Sequence, residues 1–165
     1  MDGTNLTIID FADPAQPTLR SKHPADGAKV VEVGNGMAYV ATPSRVQVID
    51  VLDASKPTLK GLYKDGNASN ADVTALRLVN NTLFLSRGFW AEGSTNCIDA
   101  IDVADPANPV RVGRYTVSES VHLTGPLEAS EDRLPIAWVN ERQPSIPKGS
   151  HSEPADPQSG GQWSG

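Results

Sequence analysis

Apolar and polar residues alternate along much of the chain with a period of two. Clear examples are the runs LTIID from Leu6, RVQVID from Arg45 and CIDAID from Cys97. Such alternation, rich in β-branched residues, predicts half-buried strands. Segments 29–41 and 74–86 each hold two such runs separated by Asn-Gly or Asn-Asn. These dipeptides tolerate the positive φ of two-residue turns, so both segments are predicted to be hairpins.

A nine-residue phrase occurs three times, beginning at Ile9, Ile49 and Ile101. Its aligned turn residues are Asp13, Asp53 and Asp105, followed by Pro17, Pro57 and Pro109. An aspartate accepts nearby backbone N–H groups, and proline cannot donate to a continuing ladder, so each phrase is predicted to end one strand and turn into the next. Calcium binding is the alternative, but a calcium loop needs more oxygen ligands and usually a glycine. We therefore favour the structural role.

The repeated unit consists of a hairpin, a phrase strand and an outer strand. Its copies are 40 residues apart from Asp10 to Asp50, and 52 apart from Asp50 to Asp102. Four antiparallel strands within ~40–45 residues are typical of one β-propeller blade. The added residues of the second interval are predicted to lie in loops at 64–72 and 87–96.

The predicted fold is all-β, a propeller-type array of four-stranded antiparallel blades occupying residues 1–140. Its parts are a partial blade at 5–24, blades at 28–64 and 72–117, and a partial blade at 120–140. In the last part, Ala137, Trp138 and Val139 match Ala38, Tyr39 and Val40 of the first hairpin. Residues 141–165 are rich in Pro, Gly and Ser, which predicts a disordered tail.

The segments NLTIIDFADPAQPTL, RVQVIDVLDASKPTLKGLY and NCIDAIDVADPANPVRVGRY resemble LVIVD repeats over about residues 5–117. The resemblance implies a β-propeller of a predominantly bacterial class, often found in surface or exported proteins. It therefore implies an extracellular or cell-surface location, although the first residues carry no signal peptide. These repeats form a scaffold and share no catalytic residues.

Two complete and two partial blades are fewer than the ~4–8 blades of a closed propeller. Three explanations stay open. The chain is a fragment of a longer protein, or two chains pair their terminal halves into a ring of six blades, or the array is open and has exposed edges.

Composition excludes several classes of function. A net charge of -6 with scattered basic residues disfavours nucleic-acid and anionic-membrane partners. The apolar runs are shorter than the ~20 residues of a membrane helix, so no membrane insertion is predicted. Cys97 stands alone, and His23, His122 and His151 share no ligand spacing. We predict no catalytic residue, no metal and no cofactor.

Four residues are candidates for contact with a partner: Arg87, Phe89, Trp90 and Trp163. The first three flank or occupy the predicted 87–96 loop, and aromatic residues with arginine are common interface anchors. The alternative is that the aromatic side chains fold back over a blade edge.

The predicted function is a non-catalytic scaffold that binds a protein partner or self-associates to complete a ring. The alternative is an enzyme-type propeller, such as a hydrolase, a lactonase or a quinoprotein-like dehydrogenase, with a site in the central channel. For that site the inner strands offer only Glu32 and Arg77.

Overall fold

The computed structural model describes residues 5–65, 71–89, 96–116, 121–123, 127 and 139–141. These residues form strands and turns and contain no helix. The strands are β1 (Asn5–Asp10), β2 (Thr18–Pro24), β3 (Val30–Gly34), β4 (Met37–Ala41), β5 (Arg45–Asp50), β6 (Thr58–Lys64), β7 (Ala71–Val79), β8 (Thr82–Phe89), β9 (Cys97–Asp102), β10 (Val110–Thr116), β11 (Val121–Leu123) and β12 (Val139–Glu141).

The strands form four antiparallel sheets, each built from strands that follow one another in the chain. The first full sheet has the order β3-β4-β5-β6, and the second full sheet has the order β7-β8-β9-β10. A first half-sheet, β1-β2, precedes them, and a last half-sheet, β11-β12, follows them. The prediction of an all-β array of blade-like four-stranded sheets is therefore confirmed.

Both predicted hairpins close through two-residue turns. Gly34 pairs with Met37 in the first hairpin, and Val79 pairs with Thr82 in the second. The φ angles are 54° at Asn35, 74° at Gly36 and 51° at Asn80. These residue types reach this region at low cost, which explains why the strands reverse here.

The core lies between neighbouring sheets, because the middle strands of each full sheet are buried on both faces. Along the apolar run of β4, Ala38 and Val40 pack with Leu6 of the first half-sheet. The alternate residues Tyr39 and Ala41 pack towards the second full sheet. There they join a cluster with Val46, Val48, Tyr63, Val73, Leu76, Leu83, Leu85, Ile101 and Val103. Burial on both faces is why this strand is continuously hydrophobic.

Each outer strand that follows a phrase carries a β-bulge at the same repeat position. The unpaired residues are Arg20 in β2, Lys60 in β6 and Val112 in β10. Arg20 Nε lies 2.9 Å from Asp10 Oδ2, and Lys60 Nζ lies 3.2 Å from Asp50 Oδ2. The bulges in β2 and β6 thus each bring a basic side chain close to the first aspartate of the phrase. The bulged residue of β10, Val112, is uncharged.

The second hairpin is longer than the sequence predicted. Strand β8 continues to Phe89, so Arg87 and Phe89 lie in a strand and not in the predicted 87–96 loop. The reason is that Arg87 pairs with Val73 on one side and with Cys97 on the other, which keeps it in the ladder. Strand β7 likewise begins at Ala71, inside the predicted 64–72 loop. Trp90 and the 142–165 segment lie outside the described residues.

Candidate interaction surface

The three phrases end in repeat turns at 13–17, 53–57 and 105–109, and the turns share one geometry. In each, the aspartate carboxylate accepts the backbone N–H two residues later, and the aspartate carbonyl accepts the N–H three residues later. The carboxylate bonds are Ala15 N to Asp13 at 3.0 Å, Ser55 N to Asp53 at 2.9 Å and Ala107 N to Asp105 at 3.0 Å. The carbonyl bonds are 3.0, 3.0 and 3.1 Å long.

At two of the three turns, local hydrogen bonds lower the pKa of the aspartate that accepts them. The Ser55 hydroxyl and backbone N–H lower the pKa of Asp53, and the Asn108 side chain and Ala107 N–H lower that of Asp105. The aspartates thus close their own turns through local hydrogen bonds.

The second and third repeat turns also pack on the outer strand of the preceding repeat. The Ser21 hydroxyl of β2 donates to the Ala54 carbonyl of the second turn at 2.6 Å. At the equivalent position of β6, Gly61 lies directly under the third turn. A Cβ on Gly61 would be 2.9 Å from the Ala107 carbonyl oxygen and closer still to that of Pro106. Gly61 therefore permits the approach of the turn, because any side chain there would collide with backbone.

Strand β10 has the same design but is uncovered. Gly113 occupies the position of Gly61, and a Cβ on it would meet only Ala100 Cβ, at an ordinary 3.8 Å. Tyr63 of β6 is 7% exposed, whereas the equivalent Tyr115 is 64% exposed. We call the exposed surface of Val110, Val112, Gly113 and Tyr115 the β10 face. Two of these residues, Gly113 and Tyr115, match residues of β6 that the following repeat covers, whereas Val110 and Val112 match Thr58 and Lys60, which are exposed in β6.

The first half-sheet is also uncovered, but at the position where each full sheet has a hairpin turn. In the full sheets the residue after the phrase strand donates to the hairpin turn, from Val51 N to Gly36 O at 3.0 Å and from Val103 N to Asn81 O at 2.8 Å. The equivalent residue of the first phrase is Phe11, which is 60% exposed, whereas Val103 is 3% exposed.

An open groove of about 500 Å³ adjoins the exposed Phe11 side chain. It is lined by Ile9, Asp10, Phe11, Arg20, Asp53 and Ser55. The first half-sheet thus presents apolar surface where the full sheets carry a hairpin.

A buried ionic cluster joins the two full sheets beside this surface. Arg87 is fully buried, donates from Nη1 to the Pro43 carbonyl at 3.0 Å, and has its Nε 3.6 Å from Asp99 Oδ2. Arg114 of β10 donates two hydrogen bonds to Asp99, of 2.6 and 2.8 Å, and one of 2.6 Å to Asp65 of the first full sheet. The hydrogen bonds to Asp99 raise the pKa of Arg114 well above its usual range. This paired arginine fixes β10 in place from its inner side.

The structure places the predicted contact residues unevenly. Arg87 has no exposed surface and is held inside the ionic cluster, whereas the sequence placed it beside a surface loop. Phe89 ends β8, while Trp90 and Trp163 lie outside the described residues. A role for Phe89, Trp90 and Trp163 in partner contact stays a prediction.

Sequence reasoning missed Gly61, Gly113, Tyr63 and Tyr115, which mark the covered and uncovered outer strands. The signal was present as the repeated Gly-x-Tyr in LKGLYK and RVGRYT. It was not distinctive, because a glycine in a strand has several explanations.

Other candidate chemistry is accounted for by packing. Burial, together with the nearby Asp99 carboxylate, raises the pKa of the Cys97 thiol, which packs as a small buried residue. Glu32 and Arg77, the two polar residues of the inner strands, lie 3.5 Å apart and link the full sheets to each other. Within the described ranges, no cluster of three His, Cys, Asp or Glu side chains is placed to hold a metal ion. The same part of the chain has no helix that is long and apolar enough to cross a membrane.

Comparison with known proteins identifies the repeat. No curated protein matches the sequence. The family described as LVIVD repeat matches at residues 2–23, 27–65 and 94–117, together just over half of the 165 residues. The matches begin and end close to the first half-sheet, the first full sheet and the β9-β10 pair. The chain therefore belongs to the LVIVD repeat family.

Proposed function

We propose that this β-propeller-type repeat protein acts as a protein-binding scaffold, and that the β10 face is its contact surface. One observation carries the proposal. Gly113 and Tyr115 of the β10 face repeat the two residues of β6 that lie buried beneath the following repeat, yet β10 is exposed along the whole strand. A surface that is built to be covered by protein, and is not covered, favours binding over catalysis.

The chemistry of the β10 face suits a protein partner. Three large hydrophobic residues, Val110, Val112 and Tyr115, are each more than half exposed on one strand. Tyrosine is favoured at interface cores because it adds large area and a polar end at low entropic cost. Gly113 lies among them and leaves room for a backbone carbonyl to approach. The family resemblance adds a location in a surface or exported assembly to this proposal.

A photo-crosslinking amino acid at position 115 tests the proposal. We expect one cross-linked protein species of discrete mass, formed in cells that produce the chain, and we expect Gly113→Ala to abolish it. The control is the same amino acid at Leu52, which is also highly exposed but lies just before the second repeat turn, away from the β10 face. Equal cross-linking at both positions, or no protein cross-link at position 115, would contradict a binding role for this surface.

A further inference from the structure

We propose that the occupant of the β10 face is a second copy of this chain, whose own first repeat turn (13–17) seats on Gly113. This inference rests on the proposed binding function and names its partner. It concerns two surfaces at opposite ends of the array, one on β10 and one on the first half-sheet.

The internal contacts of the chain supply the template for this junction. The second turn packs on β2 at Ser21, and the third turn packs on β6 at Gly61. In both cases an outer strand receives the turn of the following repeat. By the same rule, β10 receives a turn at Gly113.

The first repeat turn has the conformation that this junction requires. Asp13 accepts the N–H groups of Ala15 and Gln16, each at 3.0 Å, as the aspartates of the two seated turns do. Every residue of segment 11–20 is exposed, so no described residue of the same chain covers the turn. A single chain therefore carries a receiving strand and a matching turn, but at ends that do not meet each other.

The two half-sheets are complementary in the same sense. On the outward side of the second full sheet, Leu127 packs with Ala75 and Ile98 and covers the inner strands, whereas β10 stays uncovered. Strand β11 of the last half-sheet lies against β8 of the second full sheet. The first half-sheet supplies a phrase strand and an outer strand. Together the two half-sheets contain the four strands of one full sheet.

The repeat alignment also predicts the register in which the half-sheets meet. Val139 of β12 matches Val40 of β4 in sequence, and Val40 pairs with Gln47. The residue of β1 equivalent to Gln47 is Thr7. Strand β12 of one copy is therefore expected to lie antiparallel to β1 of the other, with Val139 opposite Thr7.

Two copies related by a twofold axis make this junction twice. The assembly has two full sheets from each copy and two shared sheets, a total of six, which lies within the ~4–8 blades of closed propellers. The exposed strand edges of the single chain are thereby removed.

Sedimentation equilibrium and light scattering on the full chain provide the test. We expect a mass of about twice 17.5 kDa at micromolar concentration. Gly113→Ala should raise the dimer Kd about tenfold or more, because its Cβ would meet the incoming turn as it would at Gly61. Tyr115→Ser and Phe11→Ser should each weaken the dimer about thirtyfold, since both remove aromatic contacts that the junction buries. The matched control Leu52→Ser should leave Kd unchanged.

A mixing experiment separates a lost interface from a lost fold. Gly113→Ala removes only the receiving strand, and Phe11→Ser removes only the inserted half-sheet. A mixed pair of these variants has one intact junction, whereas each variant alone has none. We expect mixing to restore dimers, detected by energy transfer between labels on the two variants.

Two results would overturn the second-copy inference. One is a chain that is monomeric at every concentration tested, and the other is a mixture that forms no mixed pair. A monomer that still cross-links to another protein from position 115 overturns only the identity of the partner. Absence of any protein cross-link at that position removes the binding function itself.

Discussion

Replacing Gly61 by alanine tests the packing of one repeat on the next. The new Cβ would lie 2.9 Å from the Ala107 carbonyl oxygen and nearer to that of Pro106. The third turn cannot easily withdraw, because Asp105 holds it by bonds to the N–H groups of Ala107 and Asn108, of 3.0 and 3.1 Å. Either the turn or strand β6 must move, and the core between the full sheets opens.

The expected magnitude follows from two opposing effects. Overpacking against a braced backbone costs about 3 kcal/mol, the upper part of the usual range. Replacing a strand glycine by alanine raises the free energy of unfolding by up to about 1 kcal/mol. We therefore expect Gly61→Ala to lower the free energy of unfolding by about 2 kcal/mol. For a urea m-value of about 2 kcal/mol/M, the midpoint should fall by about 1 M.

Gly113→Ala is the matched control, since it is the same substitution at the equivalent repeat position. Its Cβ meets only Ala100 Cβ at 3.8 Å, so in the monomer it should be neutral or stabilise by up to about 1 kcal/mol. Both variants are measured by urea unfolding, followed by fluorescence, at a concentration where sedimentation shows monomers. Equal shifts of the two midpoints in the same direction would refute the packing of the third turn on β6.

The remaining predictions concern the core, the ionic cluster and the turns. Tyr63→Ala should lower the free energy of unfolding by about 3–5 kcal/mol in urea titrations, because it empties space between the full sheets. Arg114→Met should cost about 3 kcal/mol by leaving Asp99 buried without its hydrogen-bonded partner, and a lysine at position 114 should restore only part of this. Cys97 should react with a thiol reagent only on unfolding, since burial shields it and raises its pKa; rapid labelling of the native chain would contradict this. The lowered pKa of Asp53 contributes stability that is present above the unfolded pKa of ~3.9 and is lost as pH falls through the lower folded value. The urea midpoint should therefore be constant from about pH 7 to 5 and should decrease below about pH 4. In Asp53→Asn this decrease of the midpoint at low pH should be smaller. Asp53→Ala should lower the midpoint at every pH.

Local rules predicted the strands and turns of this protein well. Period-two alternation identified β1, β5 and β9, and the Asn-Gly and Asn-Asn dipeptides identified the hairpin turns whose φ angles are positive. The phrase aspartates were assigned to their turns because an aspartate reaches the N–H two residues ahead whatever surrounds it. Such features depend on a few neighbouring residues, so they can be read from sequence.

Strand ends and the candidate site were less accessible to this reasoning. The second predicted hairpin ends at residue 86, directly before Arg87. Only the ladder partners of Arg87 and its contact with Pro43 explain why the strand continues through it. Asp65, Asp99 and Arg114 meet across two sheets, and nothing in their separate sequence contexts indicates that meeting.

By itself, the sequence determined the repeat, the strand count of each repeat and the turn chemistry, because these depend on periodicity and on local backbone preferences. The repeated Gly-x-Tyr also contains the equivalence of Gly61 and Gly113, although sequence reasoning did not single it out. Only the tertiary structure decided that one lies beneath a turn while the other is open, since that difference depends on which repeat stands beside each strand. The interaction surface arises from this neighbour relation, which is a property of packing between sheets and not of any one repeat.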